Sequence, residues 1–250
     1  DLHSGMYGGT VVNPNNALAA VLGELHDADH RVQVPGFYDD VIEISDAEQA
    51  QWKSLAFDES AFLATAGLNE AMGEMGRSVL ERIWSRPTCD VNGMIGGYTG
   101  AGAKTVIPAY ASAKVSFRLV PEQDPEKIYF GLRQFLEERT PPGCHWAIES
   151  HGMNPAIRVP TDSTYLNAAM RGLGEVYEHP PVLIGSGGSI PVVGSMRQLL
   201  GLDALLVGFG LDDDAVHAPN EKFELTCYER GIKSHAAIIY ELARAGGPTD

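Results

Sequence analysis

Residues 88–121 read TCDVNGMIGGYTGAGAKTVIPAYASAKVSFRLVP, and the rhythm at the end of this stretch sets the architecture. Ala111, Ala113, Val115 and Phe117 alternate with Ser112, Lys114, Ser116 and Arg118. Successive side chains of an extended chain point to opposite faces, so a period of two predicts a strand with one buried and one wet face. An earlier β-rich run opens the stretch, and a glycine-dense loop separates the two. DPEKIYFGLRQFLEER (124–139) follows as an amphipathic helix, with Asp124 placed to cap it and acids in its first turn. CHWAIESHG (144–152) then reads as a further strand.

Upstream, NNALAAVLGEL (15–25) repeats apolar residues at helical spacing behind a proline in its first turn. HDADHRVQVPGFYDDV (26–41) is a turn-rich connection with a strand-like piece at Val32 and Val34. Residues 46–84 are acidic, with a helical pattern interrupted at Gly67, Gly73 and Gly76, and read as an inserted helical excursion with a solvated surface. The order strand, helix, strand, strand, helix, strand predicts an α+β sandwich of ferredoxin-like type over residues 1–158. From 159 to 250 the grammar becomes α/β. A helix near 161–177, the loop IGSGGSIPVVGSM, a buried strand ALLVGFG (204–210), a polar loop and a final helix from about Thr226 follow in turn.

Composition excludes several classes. A net charge of −15 over 250 residues leaves no clustered Lys and Arg for a nucleic acid. No apolar run reaches the ~18 residues of a membrane span, and no basic-plus-apolar segment marks export. Three widely spaced cysteines, Cys89, Cys144 and Cys227, fit neither a disulfide framework nor a zinc knuckle. They predict a reducing, cytoplasmic setting.

Chemistry gathers at a few positions. His217, in DDDAVHAPNEKF, sits between the expected strand 204–210 and the last helix, where an imidazole can serve a metal or simply face solvent. Asp212, Asp213 and Asp214 are candidate ligands or a solvated acidic run. Ser189, in GSGGSIP, lies in a turn able to form an anion nest. The surrounding residues miss the G-x-S-x-G nucleophile pattern, because Pro191 stands where the second glycine belongs. GYTGAGAKT misses phosphate-loop spacing, since no glycine directly precedes Lys104. Arg118 is a cation on the polar face of its strand, suited to a carboxylate or to a surface ion pair. His151 ends the expected strand 144–152.

Taken in order, DLHSGMYGG, GAGAKTVIP, FRLVP, GGSIP and HAPNEKF resemble the co-catalytic zinc metallopeptidase and aminoacylase family. That family holds the carnosine dipeptidases, succinyl-diaminopimelate desuccinylase and carboxypeptidase G, and the resemblance is nearest its dipeptidase branch. It implies a ferredoxin-like lid that also dimerises (1–158, with the 46–84 insertion), followed by the C-terminal part of a catalytic domain (159–250). It implies a homodimer, two divalent metal ions (zinc, with manganese or cobalt as alternatives) and a dipeptide or N-acyl amino acid substrate with a free carboxylate. By motif position, His217 would be a metal ligand, and His3 and Thr105 would polarise the scissile carbonyl in the partner's site. Arg118, His151 and Ser189 would hold the substrate's carboxylate and backbone.

The family's remaining ligands and its general-base Glu belong to an N-terminal half, and no H-x-D or E-E motif occurs here in an equivalent place. Zinc hydrolysis needs about three protein ligands and an activated water. The expectation is therefore an enzyme fragment inactive by itself. The alternative is a non-catalytic dimerisation or peptide-binding module derived from the same family.

Overall fold

The alternation over residues 111–118 becomes one half of an antiparallel ladder. In the computed structural model, which describes residues 1–187, 190–202, 204–211 and 213–246, the chain begins with β1 (Leu2–His3), α1 (Ser4–Tyr7) and α2 (Pro14–Gly23). Three helices occupy the insertion: α3 (Asp46–Ser54), α4 (Glu59–Thr65) and α5 (Val79–Trp84). Next come β2 (Thr88–Gly96), β3 (Val106–Ile107), β4 (Ala111–Arg118) and α6 (Pro125–Glu138). The chain closes with α7 (Thr164–Gly174), α8 (Pro191–Leu200) and α9 (Leu225–Ala245).

β2 and β4 pair from Thr88↔Arg118 to Gly96↔Ala111, with a slip in register between Val91 and Gly93. One face of this ladder is the inner one. Val115 and Phe117 pack on a core built from Val21 and Leu25, from Val34 and Phe37, and from Ile128 and Phe135. Thus α2 and α6 cover the face that the sequence marked as apolar. Asp124 caps α6 by accepting the Glu126 N–H at 2.9 Å, as expected. β1 and β3 form a second ladder, antiparallel and separate from the first.

Two expected strands are not ladder strands among the described residues. Segment 144–152 runs without strand pairing, although Trp146 and Ile148 pack on the core while His145, Ala147 and Glu149 face outward. ALLVGFG (204–210) is likewise unpaired, and Leu206 is 58% exposed rather than buried. Burial alternates along both segments, but a ladder also needs a neighbouring strand. The second half of the loop expected at 184–196 is instead the start of α8, whose left-handed C-cap at Gly201 (φ 65°) ends it.

The insertion also departs from a plain solvated excursion. Glu74 and Arg86 are both buried. Arg86 donates through Nε and Nη2 to both oxygens of Glu74, at 2.7 and 2.8 Å, and through Nη1 to Glu43 at 3.0 Å. Arg31 adds a 2.6 Å bond to Glu74, and Arg77 grips Glu43 with two bonds at 2.6 and 2.7 Å. The Arg31 and Arg86 guanidinium groups lie 4.2 and 5.3 Å from the centre of the Tyr38 ring. This network joins residues 74–86 to the 31–43 connection, charges that no sequence period relates.

By contact the chain divides into two units. The first holds Asp1–Ala56 and Ala71–Ile157 with a short piece around Ser186; the second holds Phe57–Glu70, Arg158–Gly185 and the chain from Ile190 on. α4 therefore belongs with the second unit. There, α7 and α9 meet through small residues. A Cβ at Gly172 would lie 2.8 Å from Ile238 Cα, and Ala168 and Ser234 are fully buried. Arg171 closes this contact with a 2.8 Å bond to Glu241.

Candidate functional site

His3 is placed by backbone pairing. Leu2 faces Ile107 and His3 faces Val106 across the β1–β3 ladder, and the Ser4 N–H donates to the Thr105 carbonyl at 3.1 Å. Asp1 steadies the same ribbon by accepting the Ala109 N–H at 3.0 Å. His3 and Thr105, far apart in sequence, are thereby brought to one exposed edge.

The imidazole is oriented as well as placed. His3 caps α1, its Nδ1 accepting the Gly5 N–H at 2.9 Å. A ring nitrogen that accepts must carry a lone pair, so in the neutral ring the proton sits on Nε2. Gly5 is required by that contact, because a Cβ there would come within 2.9 Å of His3 Cε1. The result is an exposed imidazole that presents a donor N–H.

Lys104 lies 5.8 Å from the centre of the Tyr98 ring, and the Tyr98 hydroxyl donates to the Ala101 carbonyl at 2.8 Å. Arg118 is exposed at the end of β4, opposite Thr88 and on the ladder separate from His3. His151 is exposed in the unpaired segment after α6. Ser189 and Asp212 lie outside the described residues.

His217 belongs to the second unit. Its backbone is left-handed, at φ 63°, and its N–H donates to Glu221 Oε2 at 3.3 Å. The side chain is exposed. The candidate ligands Asp213 and Asp214 are committed elsewhere: Lys222 Nζ reaches them at 3.0 and 3.1 Å, and Glu224 at 3.1 Å. Asp214 is also buried, and its other oxygen accepts the Leu211 N–H at 2.8 Å. That backbone hydrogen bond, with the ammonium beside it, holds the Asp214 carboxyl below its ordinary value, while the surrounding carboxylates push Lys222 up.

Sequence reasoning missed Lys222. Its only signal was a lone cation among the acids of the His217 loop.

Among the described residues no group of three or more His, Cys, Asp and Glu side chains is placed to hold a metal ion. His217 fits as one donor, since its ring is exposed and the loop's bond uses its backbone. A complete metal centre would need donors from beyond these residues. The three cysteines are free thiols, and burial pushes Cys89 up to about 12, which removes it as a nucleophile at neutral pH. No described helix is long and apolar enough to cross a membrane.

Residues 1–144 match the peptidase dimerisation domain model. The chain belongs to the M20 peptidase dimerisation-domain family. It is 29% identical over 249 residues to the Cys-Gly metallodipeptidase DUG1 of Candida albicans, covering 98% of this chain and 51% of that protein. It is also 29% identical over 248 residues to the human Beta-Ala-His dipeptidase, covering 98% and 49% respectively. Among solved structures, the M20 family metallo-carboxypeptidase Sso-CP2 from Sulfolobus solfataricus superposes with a TM-score of 0.83 at 33% identity. That match covers 97% of this chain and 55% of that one. The chain spans about half the length of the curated relatives it matches. Its structural neighbours thus include an M20 family metallo-carboxypeptidase, and its sequence relatives include a Cys-Gly metallodipeptidase and a Beta-Ala-His dipeptidase.

Proposed function

We propose that the chain forms part of a metal-dependent dipeptidase cleaving dipeptides or N-acyl amino acids that end in a free carboxylate. Residues 1–158 act as a lid of ferredoxin-like descent that dimerises, and residues 159–250 as the C-terminal portion of the catalytic domain. Cys-Gly and β-Ala-His, the substrates in the relatives' names, are the first to assay. The working form is a cytoplasmic homodimer using two divalent ions, zinc foremost.

The observation that carries this reading is the β1–β3 ladder, which sets the oriented His3 donor beside Thr105 on one exposed edge. In the proposed role, His3 Nε2–H donates to the scissile carbonyl oxygen of a substrate held by the partner subunit, and Thr105 lies beside the developing oxyanion. Arg118 takes the terminal carboxylate, with His151 and Ser189 on the substrate's backbone. His217 contributes one imidazole to the metal centre, and a bound metal would activate the attacking water.

A second observation supports reading residues 159–250 as a portion of a larger domain. In the second unit Leu199 is 79% exposed and Leu225 82%, with Ile232 and Ile239 also exposed on α9. Apolar surface on this scale fits a domain completed by further polypeptide.

The test joins these residues to the sequence preceding Asp1 in the source gene. The joined polypeptide hydrolyses Cys-Gly, and chelation or His217→Ala abolishes the activity, whereas the 250-residue chain alone gives no turnover. Chelator-sensitive turnover by the 250-residue chain, or none by the joined polypeptide supplied with zinc, overturns the reading.

A further inference from the structure

We infer that Lys222 is a positioning residue for His217, acting through the loop that leads into α9; this rests on the reading of His217 as a functional imidazole. Within residues 211–224, Ala215 (φ 54°), His217 (φ 63°) and Asn220 (φ 65°) are all left-handed. Side chains other than glycine hold that conformation only where their surroundings over-determine it.

The over-determination centres on one lysine. Lys222 Nζ reaches Asp213 at 3.0 Å, Asp214 at 3.1 Å and Glu224 at 3.1 Å. Its backbone N–H donates to the Asp214 carbonyl at 3.0 Å, closing the loop across its neck. Asp214 in turn fixes the incoming strand-like segment through the Leu211 N–H at 2.8 Å.

Lys222 is the only cation in residues 213–224, against Asp213, Asp214, Glu221 and Glu224. Without it, three carboxylates would face one another across the neck, and like charges at this separation repel. His217 stands between the two ends of that neck. Its ring makes none of these bonds, so its position is inherited from the loop.

The clamp is separable from the helix packing behind it. α9 is held on α7 by Gly172, Ala168, Ser234 and Ile238, well along the helix from Lys222. Loss of the lysine therefore loosens the loop while the helix pair stays folded.

The experiment uses the 250-residue chain. Amide hydrogen exchange and the His217 ring resonance are followed in the wild type, Lys222→Met and Lys222→Arg. Lys222→Met speeds exchange across 211–224 by about tenfold or more, as local opening requires. Its His217 ring signal broadens or splits, amides 234–241 keep their protection, and Lys222→Arg restores most of both effects. Wild-type exchange with an unchanged ring signal in Lys222→Met, or an equal failure of Lys222→Arg, overturns the inference.

Should Lys222→Met strip protection from α9 as well, Asp214→Asn decides on the same two readouts. It keeps an oxygen for the Leu211 N–H but weakens the grip on the ammonium, and wild-type behaviour there overturns the clamp. Zinc ions added to the joined polypeptide, which carries the donors this chain lacks, test the underlying reading separately. A perturbed His217 ring there supports it. An unperturbed ring there overturns the role of His217 whatever the exchange data show, so the two failures are distinct.

Discussion

Replacing Arg86 by methionine removes a guanidinium that is as deeply buried as a core side chain. Arg86 and Glu74 are each 7% exposed, and the arginine makes two bonds to Glu74 and a third to Glu43. Breaking a buried ion pair from one side costs about 3–5 kcal/mol, because the remaining charge is left without compensation. Here Glu74 keeps Arg31 at 2.6 Å, a side chain 41% exposed and partly screened by water. The cost therefore falls at the lower end, about 3 kcal/mol. At about 2–4 °C per kcal/mol for a unit of this size, the melting midpoint drops by roughly 6–12 °C.

The assay is built into the chain. Its three tryptophans, Trp52, Trp84 and Trp146, all belong to the first unit, and Trp52 and Trp84 meet edge to face at 5.2 Å. Urea unfolding followed by tryptophan emission then reads that unit alone. The double variant Glu74→Met/Arg86→Leu, which leaves neither of the two charges behind, loses less stability than Arg86→Met. A loss below about 1 kcal/mol in Arg86→Met would class the network with exposed surface pairs and refute the reasoning.

Acid tests the rim of the same network: Arg77, with Arg86 behind it, holds the Glu43 carboxyl below its ordinary value of 4.5. At Glu81 burial alone would raise the value, but bonds from Ser78 and the nearby Arg77 outweigh it and the carboxyl is lowered. A carboxyl lowered by folding stabilises fully above its unfolded value and less as pH falls through its folded one. These two carboxylates should therefore contribute constant stability above about pH 5 and progressively less below about pH 4.5, with a shallower acid loss in Arg77→Met; an identical pH profile in that variant would count against the account. Gly172→Ala should cost about 1–3 kcal/mol, because its methyl has only backbone to displace, and calorimetry of the second unit reads it. Iodoacetamide at pH 8 should modify Cys144 and Cys227 in the native chain and reach Cys89 only after denaturation, counted by intact mass.

Elements stabilised by their own periodicity were legible. The helix after Asn13, the capped helix after Asp124 and the paired runs at 88–96 and 111–118 all stand where spacing put them. Segments 144–152 and 204–210 show why the rest was not. In 144–152 Trp146 and Ile148 turn inward as a strand would have them, whereas 204–210, read as a buried strand, leaves Leu206 exposed. Whether such a segment becomes a ladder depends on a second strand at hydrogen-bonding distance, and periodicity carries no information about that neighbour. α8 was hidden differently, because the glycine-rich approach at 185–188 reads as loop and masks the apolar spacing that follows.

The candidate site divides along the same line. Nothing local distinguishes His3, since a two-residue strand has no period and the short helix after it buries nothing. Its orientation comes from a pairing partner more than a hundred positions away, steadied by the bond between Asp1 and Ala109. Motif order named His3 and Thr105 together, and the ladder supplies the physical reason, with a one-residue slip enough to turn the imidazole to the other face. His217 is the opposite case. Its motif is compact, yet Lys222, the residue proposed to hold it, had no conspicuous signal, because neutralising three carboxylates is a property of a folded loop. A motif singles out the side chain proposed to act, whereas the residues proposed to aim it are found only in the folded ladder and loop.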